Sequence, residues 1–99
     1  MEWLAAKGWR ILARNFRTRR GELDIVAQDG DAVVFVEVRC RGSRDFGSPA
    51  ETVGRLKRRR LWAAAAAYAQ RLDPEVPTRF DVVSVEPGGI EHVVDAFSG

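Results

Sequence analysis

The chain has few of the residues on which common cofactor and covalent chemistries depend. Its 99 residues include one cysteine, Cys40, and one histidine, His92. They contain no P-loop, no Cys-x-x-Cys pair and no serine–histidine–aspartate set. A single cysteine cannot form an internal disulfide. Alternation along its predicted strand places Cys40 in the core, and a structural or surface role is expected for His92.

Long apolar runs are also missing. No stretch approaches the ~18 apolar residues that span a bilayer, and residues 1–4 do not begin a signal peptide. We therefore expect no membrane partner and a cytoplasmic location. The length fits one domain, and 45% hydrophobic with 30% charged residues is typical of a soluble globular protein. Residues 2–7 read as the end of a helix stopped by Gly8, so we expect one domain over residues 1–99 whose first helix is truncated.

The net charge of +2 conceals an asymmetry between two parts of the chain. Residues 1–60 carry 14 Lys and Arg against 8 Asp and Glu, whereas residues 61–99 carry 2 against 6. Fourteen of the sixteen cations are arginines, whose planar guanidinium suits phosphate. A basic part in so small a fold indicates an anionic partner, and nucleic acid is the first expectation.

The apolar pattern predicts an α/β fold, a mixed five-stranded sheet flanked by helices. Turn signals separate strands at Trp9–Phe16, Gly21–Gln28, Ala32–Arg41, Arg79–Glu86 and Ile90–Val94. Before the fourth strand, Ser48-Pro49 with Glu51 indicates the start of a long helix that runs to about Leu72.

The second and third strands carry the most informative residues. Gly30-Asp31 between two apolar runs predicts a two-residue hairpin turn. That register places Asp24 opposite Glu37 and Glu22 opposite Arg39, all on one face. Both faces are otherwise apolar, so the sheet should be covered on both sides. The face opposite the charged residues would hold Leu23, Ile25, Val34, Val36 and Val38.

Facing carboxylates need a compensating positive charge. Two like charges ~4 Å apart repel by ~4 kcal/mol at an effective dielectric constant of about 20. Arg39 could supply the charge, which would make a structural salt-bridge network. A divalent cation could supply it instead, because Mg²⁺ prefers carboxylate oxygens and retains its waters. The spacing alone leaves both interpretations open.

The long helix presents a lysine toward the sheet. At about 100° per residue, Lys57 falls within an apolar arc that also includes Val53, Leu56, Leu61, Ala64, Tyr68 and Leu72. The same half of the helix carries Arg55, Arg58, Arg59 and Arg60, where positive charge opposes the helix dipole. The cluster indicates an external anion or, alternatively, a solvated basic face. Alternatively, the side chain of Lys57 could extend past the core and place its ammonium group in solvent.

Taken in order, these motifs resemble the YraN-like family of uncharacterised bacterial proteins. The resemblance covers essentially the whole chain. It rests on residues 3–12 (WLAAKGWRIL), 21–26 (GELDIV), 34–41 (VFVEVRCR), 79–83 (RFDVV) and 95–97 (DAF), with Lys57 between the third and fourth segments. That family is similar to the PD-(D/E)xK nuclease superfamily and, within it, to Holliday-junction resolvases.

The resemblance implies a restriction-endonuclease-like core with a metal-dependent nuclease site. Asp24 matches the first acid of the superfamily motif, Glu37-Val38-Arg39 matches its (D/E)xK part, and Glu22 is an added acid of the family pattern. Asp24, Glu37 and the main-chain carbonyl of Val38 would hold Mg²⁺ or Mn²⁺.

The chain departs from the superfamily pattern at two points. Arg39 replaces the motif lysine, and an arginine cannot lose its proton to act as a base near neutral pH. Arg39 could still stabilise charge on phosphate, and Lys57 could stand in for the missing amine. Resolvase-like members carry a glutamate on a first helix, and Glu2 does not lie at the matching spacing, so either the sequence is trimmed there or that ligand is absent.

The expected function is therefore phosphodiester hydrolysis by a metal-dependent endonuclease acting on DNA, branched DNA included. The alternatives are a non-catalytic nucleic-acid-binding module with a degenerate nuclease site and, more weakly, a protein-interaction scaffold. DNA is favoured over RNA as partner, and a homodimer would allow a junction to be cut twice. The expected phosphate contacts are Arg41, Arg44, Arg55, Arg58, Arg59 and Arg60.

Overall fold

A computed structural model describes residues 2–40 and 54–96, which build one sheet and two helices. The elements are α1 Glu2–Ala6, β1 Arg10–Arg17, β2 Glu22–Asp29, β3 Ala32–Cys40, α2 Arg55–Ala69, β4 Thr78–Glu86 and β5 Gly89–Val93. The strands lie in the order β1-β2-β3-β4-β5, antiparallel except for the parallel pair β3–β4. The predicted α/β fold with a mixed five-stranded sheet is confirmed.

The β2–β3 hairpin has the predicted register as far as its ladder extends. Asp29 pairs with Ala32 across the Gly30-Asp31 turn, where Gly30 takes a positive φ of 57°. The ladder ends at the pair Ile25–Val36. Asp24 and Glu22 therefore lie beyond it, and the strands part where the charged residues begin.

Two apolar clusters cover the two faces of the sheet. The cluster under α2 contains Leu23, Val26, Val33, Phe35, Leu61, Ala64, Ala65, Tyr68, Phe80 and Val82. The cluster on the α1 face contains Leu4, Ile25, Ala27, Val34, Val36 and Val83. Leu23 was expected beside Ile25, and that prediction is wrong. The alternation breaks at Asp24, opposite a β1 segment in which Asn15 has a positive φ of 51°.

Helix α2 begins later than the sequence pattern predicts. Its N-cap is Gly54, with φ −67° and ψ 165°, so the predicted start at Ser48-Pro49 is wrong for this helix. Residues 48–51 themselves lie outside the described residues. Because Leu56 falls in the first turn, it lines an open cleft and is 61% exposed rather than inward-facing. None of the helices in the described residues is long and apolar enough to cross a membrane.

The prediction that Cys40 belongs to the core is also wrong. Cys40 is exposed at the last residue of β3, where it pairs with Val85 of β4. The β2 ladder has already ended four residues earlier, at Val36, so the apolar cover of the sheet does not reach this position.

Candidate active site

The site is centred where β2 and β3 separate. Beyond the pair Ile25–Val36, the main-chain N–H of Val38 has no strand partner on the β2 side. The carboxylate of Asp24 accepts that hydrogen bond instead, with Val38 N to Asp24 Oδ2 at 2.9 Å. A buried main-chain donor needs such a partner. The bond therefore holds the Asp24 carboxylate against β3.

Glu37 lies next along β3 and is almost fully buried, with 5% of its side chain exposed. The ammonium of Lys57 reaches it from α2, with Nζ to Glu37 Oε1 at 2.9 Å. The Lys57 side chain is half exposed, so its ammonium group contacts Glu37 on one side and solvent on the other. The helical arc that pointed Lys57 at the sheet agrees with this placement.

The surroundings of Glu37 make it a weak acid. Burial raises its pKa from 4.5 to about 7. The hydrogen bond and the charge of Lys57 lower the pKa, while the charge of Asp24 and a side-chain hydrogen bond with Asp24 raise it. Glu37 thus exchanges a proton near neutrality beside a second carboxylate, a combination that is common at functional sites.

The two carboxylates suit a hard divalent cation. Burial of Glu37 and the repulsion between Asp24 and Glu37 both disfavour two negative charges at this place, so a positive charge would stabilise them. A bound cation would supply that charge and would displace the proton of Glu37. The described ranges 2–40 and 54–96 contain no group of three or more His, Cys, Asp or Glu side chains able to hold a metal. A cation at this site would take oxygen ligands from Asp24, Glu37 and the main-chain carbonyl of Val38, and water would complete its coordination.

Glu22 and Arg39 do not pair as predicted. The carboxylate of Glu22 accepts from Arg17, with Nε to Oε2 at 3.0 Å, and both side chains are exposed. The predicted Glu22–Arg39 pair is wrong because the ladder that would align the two residues ends at Ile25. Arg39 instead lies beside Ser84 of β4, and its Nη1 is buried without a hydrogen-bond partner among residues 2–40 and 54–96. A buried guanidinium donor without a partner can bind an incoming anion.

The predicted phosphate contacts fall into two groups. Arg55, Arg59 and Arg60 are exposed on α2, and Arg58 is partly buried there. Arg41 and Arg44 lie outside the described residues.

Two features of the structure were not predicted from the sequence. A cavity of about 300 Å³ beside Asp24 is lined by Arg14, Asn15, Ile25 and Val38. Asn15, which lines this cavity, has a positive φ of 51°. The only indication of this conformation in the sequence is that asparagine tolerates a positive φ better than most residues.

The second feature is an ion cluster on β4. Asp81 is fully buried and accepts hydrogen bonds from Arg79 Nε at 2.9 Å and from the Asp95 N–H at 2.9 Å. His92 Nε2 lies 2.7 Å from the same carboxylate, and Lys7 Nζ lies 3.0 Å from His92 Nδ1. Lysine has only donors, so in this arrangement His92 Nδ1 accepts from Lys7 and Nε2–H donates to Asp81.

Glu37 makes stability depend on pH in a defined direction. Its pKa is 4.5 when the side chain is fully solvated and about 7 in the fold, so the folded state binds more protons between those values. Stability therefore falls as pH rises from 4.5 through about 7. We expect Glu37→Gln to be more stable than the wild type at about pH 8, by on the order of 2 kcal/mol, and to lose that advantage below about pH 4.5.

Urea unfolding at both pH values measures this effect, with the exposed Glu75→Gln as control. A Glu37→Gln protein less stable than the wild type at about pH 8 would contradict it.

Comparison with known proteins gives consistent matches along the chain. The model of a family described as "Uncharacterised protein family UPF0102" matches residues 1–85. A UPF0102 protein of Symbiobacterium thermophilum is 54% identical over 88 residues, covering 88% of this chain and 75% of that protein. One from Anaeromyxobacter dehalogenans is 53% identical over 102 residues, covering 98% of this chain and 76% of that protein. The matched range contains Asp24, Glu37, Arg39 and Lys57.

Proposed function

The chain belongs to the UPF0102 family, the YraN-like family that its motifs resemble, and for this member we propose a metal-dependent endonuclease that hydrolyses phosphodiester bonds in DNA. The observation that carries the proposal is the arrangement around Glu37. A buried carboxyl group with a pKa of about 7 lies between a second carboxylate and the ammonium of Lys57. This combination can bind a cation and exchange a proton near neutral pH.

Each side chain has a task in the proposed reaction. Mg²⁺ or Mn²⁺ held by Asp24, Glu37 and the carbonyl of Val38 would polarise the scissile phosphate and lower the pKa of an attacking water. Lys57 uses one donor on Glu37, which leaves two donors to orient that water or a phosphate oxygen. Arg39 offers its Nη1, which has no hydrogen-bond partner in the described part of the chain, to the charge that grows on phosphate.

A non-catalytic nucleic-acid-binding module is the second candidate. It is favoured by the direct contact between Lys57 and Glu37, because that ion pair neutralises the buried carboxylate without a metal. Arg39 in the position of the motif lysine favours the same interpretation.

A cleavage assay decides between the two functions. The purified protein is incubated with linear, flapped and four-way DNA in the presence of Mg²⁺, Mn²⁺ or a chelator. We expect cleavage that requires the metal, and branched DNA is included because of the resolvase resemblance. Binding without cleavage under every metal condition would support the binding module instead.

Lys57 and Arg39 are expected to behave differently in that assay. We expect Lys57→Met to slow single-turnover cleavage by at least ~10-fold, because it removes a positioned donor while keeping the length of the side chain. Lys57→Arg is the matched control that keeps the charge. Arg39→Lys should retain or raise activity, because it restores the superfamily residue. Equal rates for Lys57→Met and the wild type would exclude a role for Lys57.

A further inference from the structure

A cleft of about 730 Å³ opens between the β1–β2 turn and the first half of α2. Its lining includes Arg19, Arg20 and Gly21 of the turn and Leu56, Lys57 and Arg60 of the helix. Lys57 is common to this cleft and to the candidate site, since its Nζ contacts Glu37. The cleft is therefore connected through Lys57 to the buried carboxylate of Glu37.

The cleft carries an excess of positive charge. Among the residues that the structure describes, five cations line the cleft against the single carboxylate of Glu22. Two of the five are neutralised, Arg17 by Glu22 and Lys57 by Glu37. The other three are exposed, and within the described part of the chain their side chains form no ion pair with a carboxylate: Arg19, Arg20 and Arg60. An uncompensated cationic cleft is suited to an external polyanion.

The turn that supplies two of these arginines is built rigidly. The hydroxyl of Thr18 accepts hydrogen bonds from the N–H groups of Arg20 at 3.2 Å and Gly21 at 3.1 Å. The N–H of Thr18 donates to the carbonyl oxygen of Gly21 at 2.8 Å. Arg19 and Arg20 are thus held at the tip of a closed turn, which reduces the entropy lost when they bind a ligand.

Gly21 sets the width of the cleft. A Cβ atom at this position would overlap the carbonyl group of Arg60 on α2. Only glycine lets the turn lie this close to the helix. The arginines of the turn and Arg60 therefore face one narrow space.

We propose that this cleft holds the sugar–phosphate backbone of one DNA strand beside the scissile phosphate, with Arg19, Arg20 and Arg60 as phosphate contacts. The proposal rests on the proposed nuclease function and adds the path of the substrate. The contacts are to the backbone, so binding is independent of base sequence. The exposed side chain of Leu56 adds an apolar surface for the sugars along the same wall.

The proposed path of the DNA strand is tested by measuring DNA binding to the full chain carrying Asp24→Asn, a substitution that is expected to prevent cleavage during the measurement. Binding of labelled four-way and linear DNA is measured over a series of salt concentrations, with and without the added pair Arg19→Ala and Arg20→Ala. We expect the pair to weaken binding at least ~10-fold and to reduce the salt slope by about 2. Arg10→Ala, an exposed arginine at the other end of β1, is the control and should change neither quantity.

Gly21→Ala supplies a second variant, with Gly88→Ala as its control because a Cβ at Gly88 meets nothing within 4 Å. We expect Gly21→Ala to weaken DNA binding while circular dichroism stays native. If Gly21→Ala fails to fold, the arginine pair alone decides.

The outcomes separate this proposal from the nuclease proposal. If Arg19→Ala with Arg20→Ala weakens DNA binding but the wild type cuts no DNA, the result supports the cleft proposal and overturns the nuclease proposal. Unchanged affinity in the arginine pair overturns the cleft, whether or not the wild type cuts. Arginine-dependent binding to anionic vesicles but not to DNA also overturns it.

Discussion

Asp24→Asn is expected to reduce metal-dependent cleavage below detection while leaving the fold intact. The amide oxygen of asparagine can still accept the hydrogen bond from the Val38 N–H, which is 2.9 Å long in the native protein. The negative charge, however, is lost, and with it one of the two carboxylates that would hold the cation. Single-turnover cleavage with Mg²⁺ and with Mn²⁺ measures the loss, and thermal unfolding of the same samples measures stability.

Two further variants make the result specific. Glu37→Gln should abolish cleavage equally, because it removes the buried carboxylate that contacts Lys57. Asp31→Asn, in the exposed turn of the same hairpin, should cut like the wild type. If Asp24→Asn cuts as fast as the wild type, the enzyme proposal fails and the binding module is the better account.

Asp81→Ala is expected to be the most destabilising single substitution among those considered. The Asp81 carboxylate is fully buried and accepts from Arg79, His92 and the Asp95 N–H. Its hydrogen bond raises the pKa of Arg79, because the negative charge of Asp81 stabilises the protonated guanidinium. Removing one member of a buried ion pair typically costs ~3–5 kcal/mol. Domains of this kind have about 5–15 kcal/mol of stability in total.

The midpoint of urea unfolding measures the effect. Asp73→Ala, an exposed aspartate beyond the end of α2, is the matched control and should shift the midpoint little. A change of less than ~0.5 kcal/mol for Asp81→Ala, the range of ordinary surface substitutions, would show that the cluster is not structural.

The parts of this structure that local rules determine were predictable from the sequence. A two-residue turn fixes the pairing of both strands, so Gly30-Asp31 was sufficient to align Ile25 with Val36. Helical periodicity was sufficient to aim Lys57 at the sheet, where its ammonium contacts Glu37. Both features depend only on residues close together in the sequence.

The features that depend on tertiary geometry were not predictable. The separation of β2 from β3 replaces the expected Asp24–Glu37 ladder pair by a contact between Asp24 and the main chain of Val38. The ladder's end also explains the exposed Cys40 and the absence of the Glu22–Arg39 pair. The alternation of side chains along a strand does not indicate where its pairing with the neighbouring strand ends.

The contact between Lys7 and His92 has a consequence for folding during synthesis. It joins residues 85 positions apart, and it lies beside the rings of Trp3 and Trp9 that flank the α1 cluster. Contacts of such sequence separation form late, because chain closure must come first. The hairpin and α2 can associate while translation continues, but Leu4 cannot complete its packing until β4, which supplies Val83 to the same cluster, has been made. The nascent chain therefore exposes the α1 face of its sheet until β4 has left the ribosome, and this face is where a ribosome-associated chaperone would first find apolar surface.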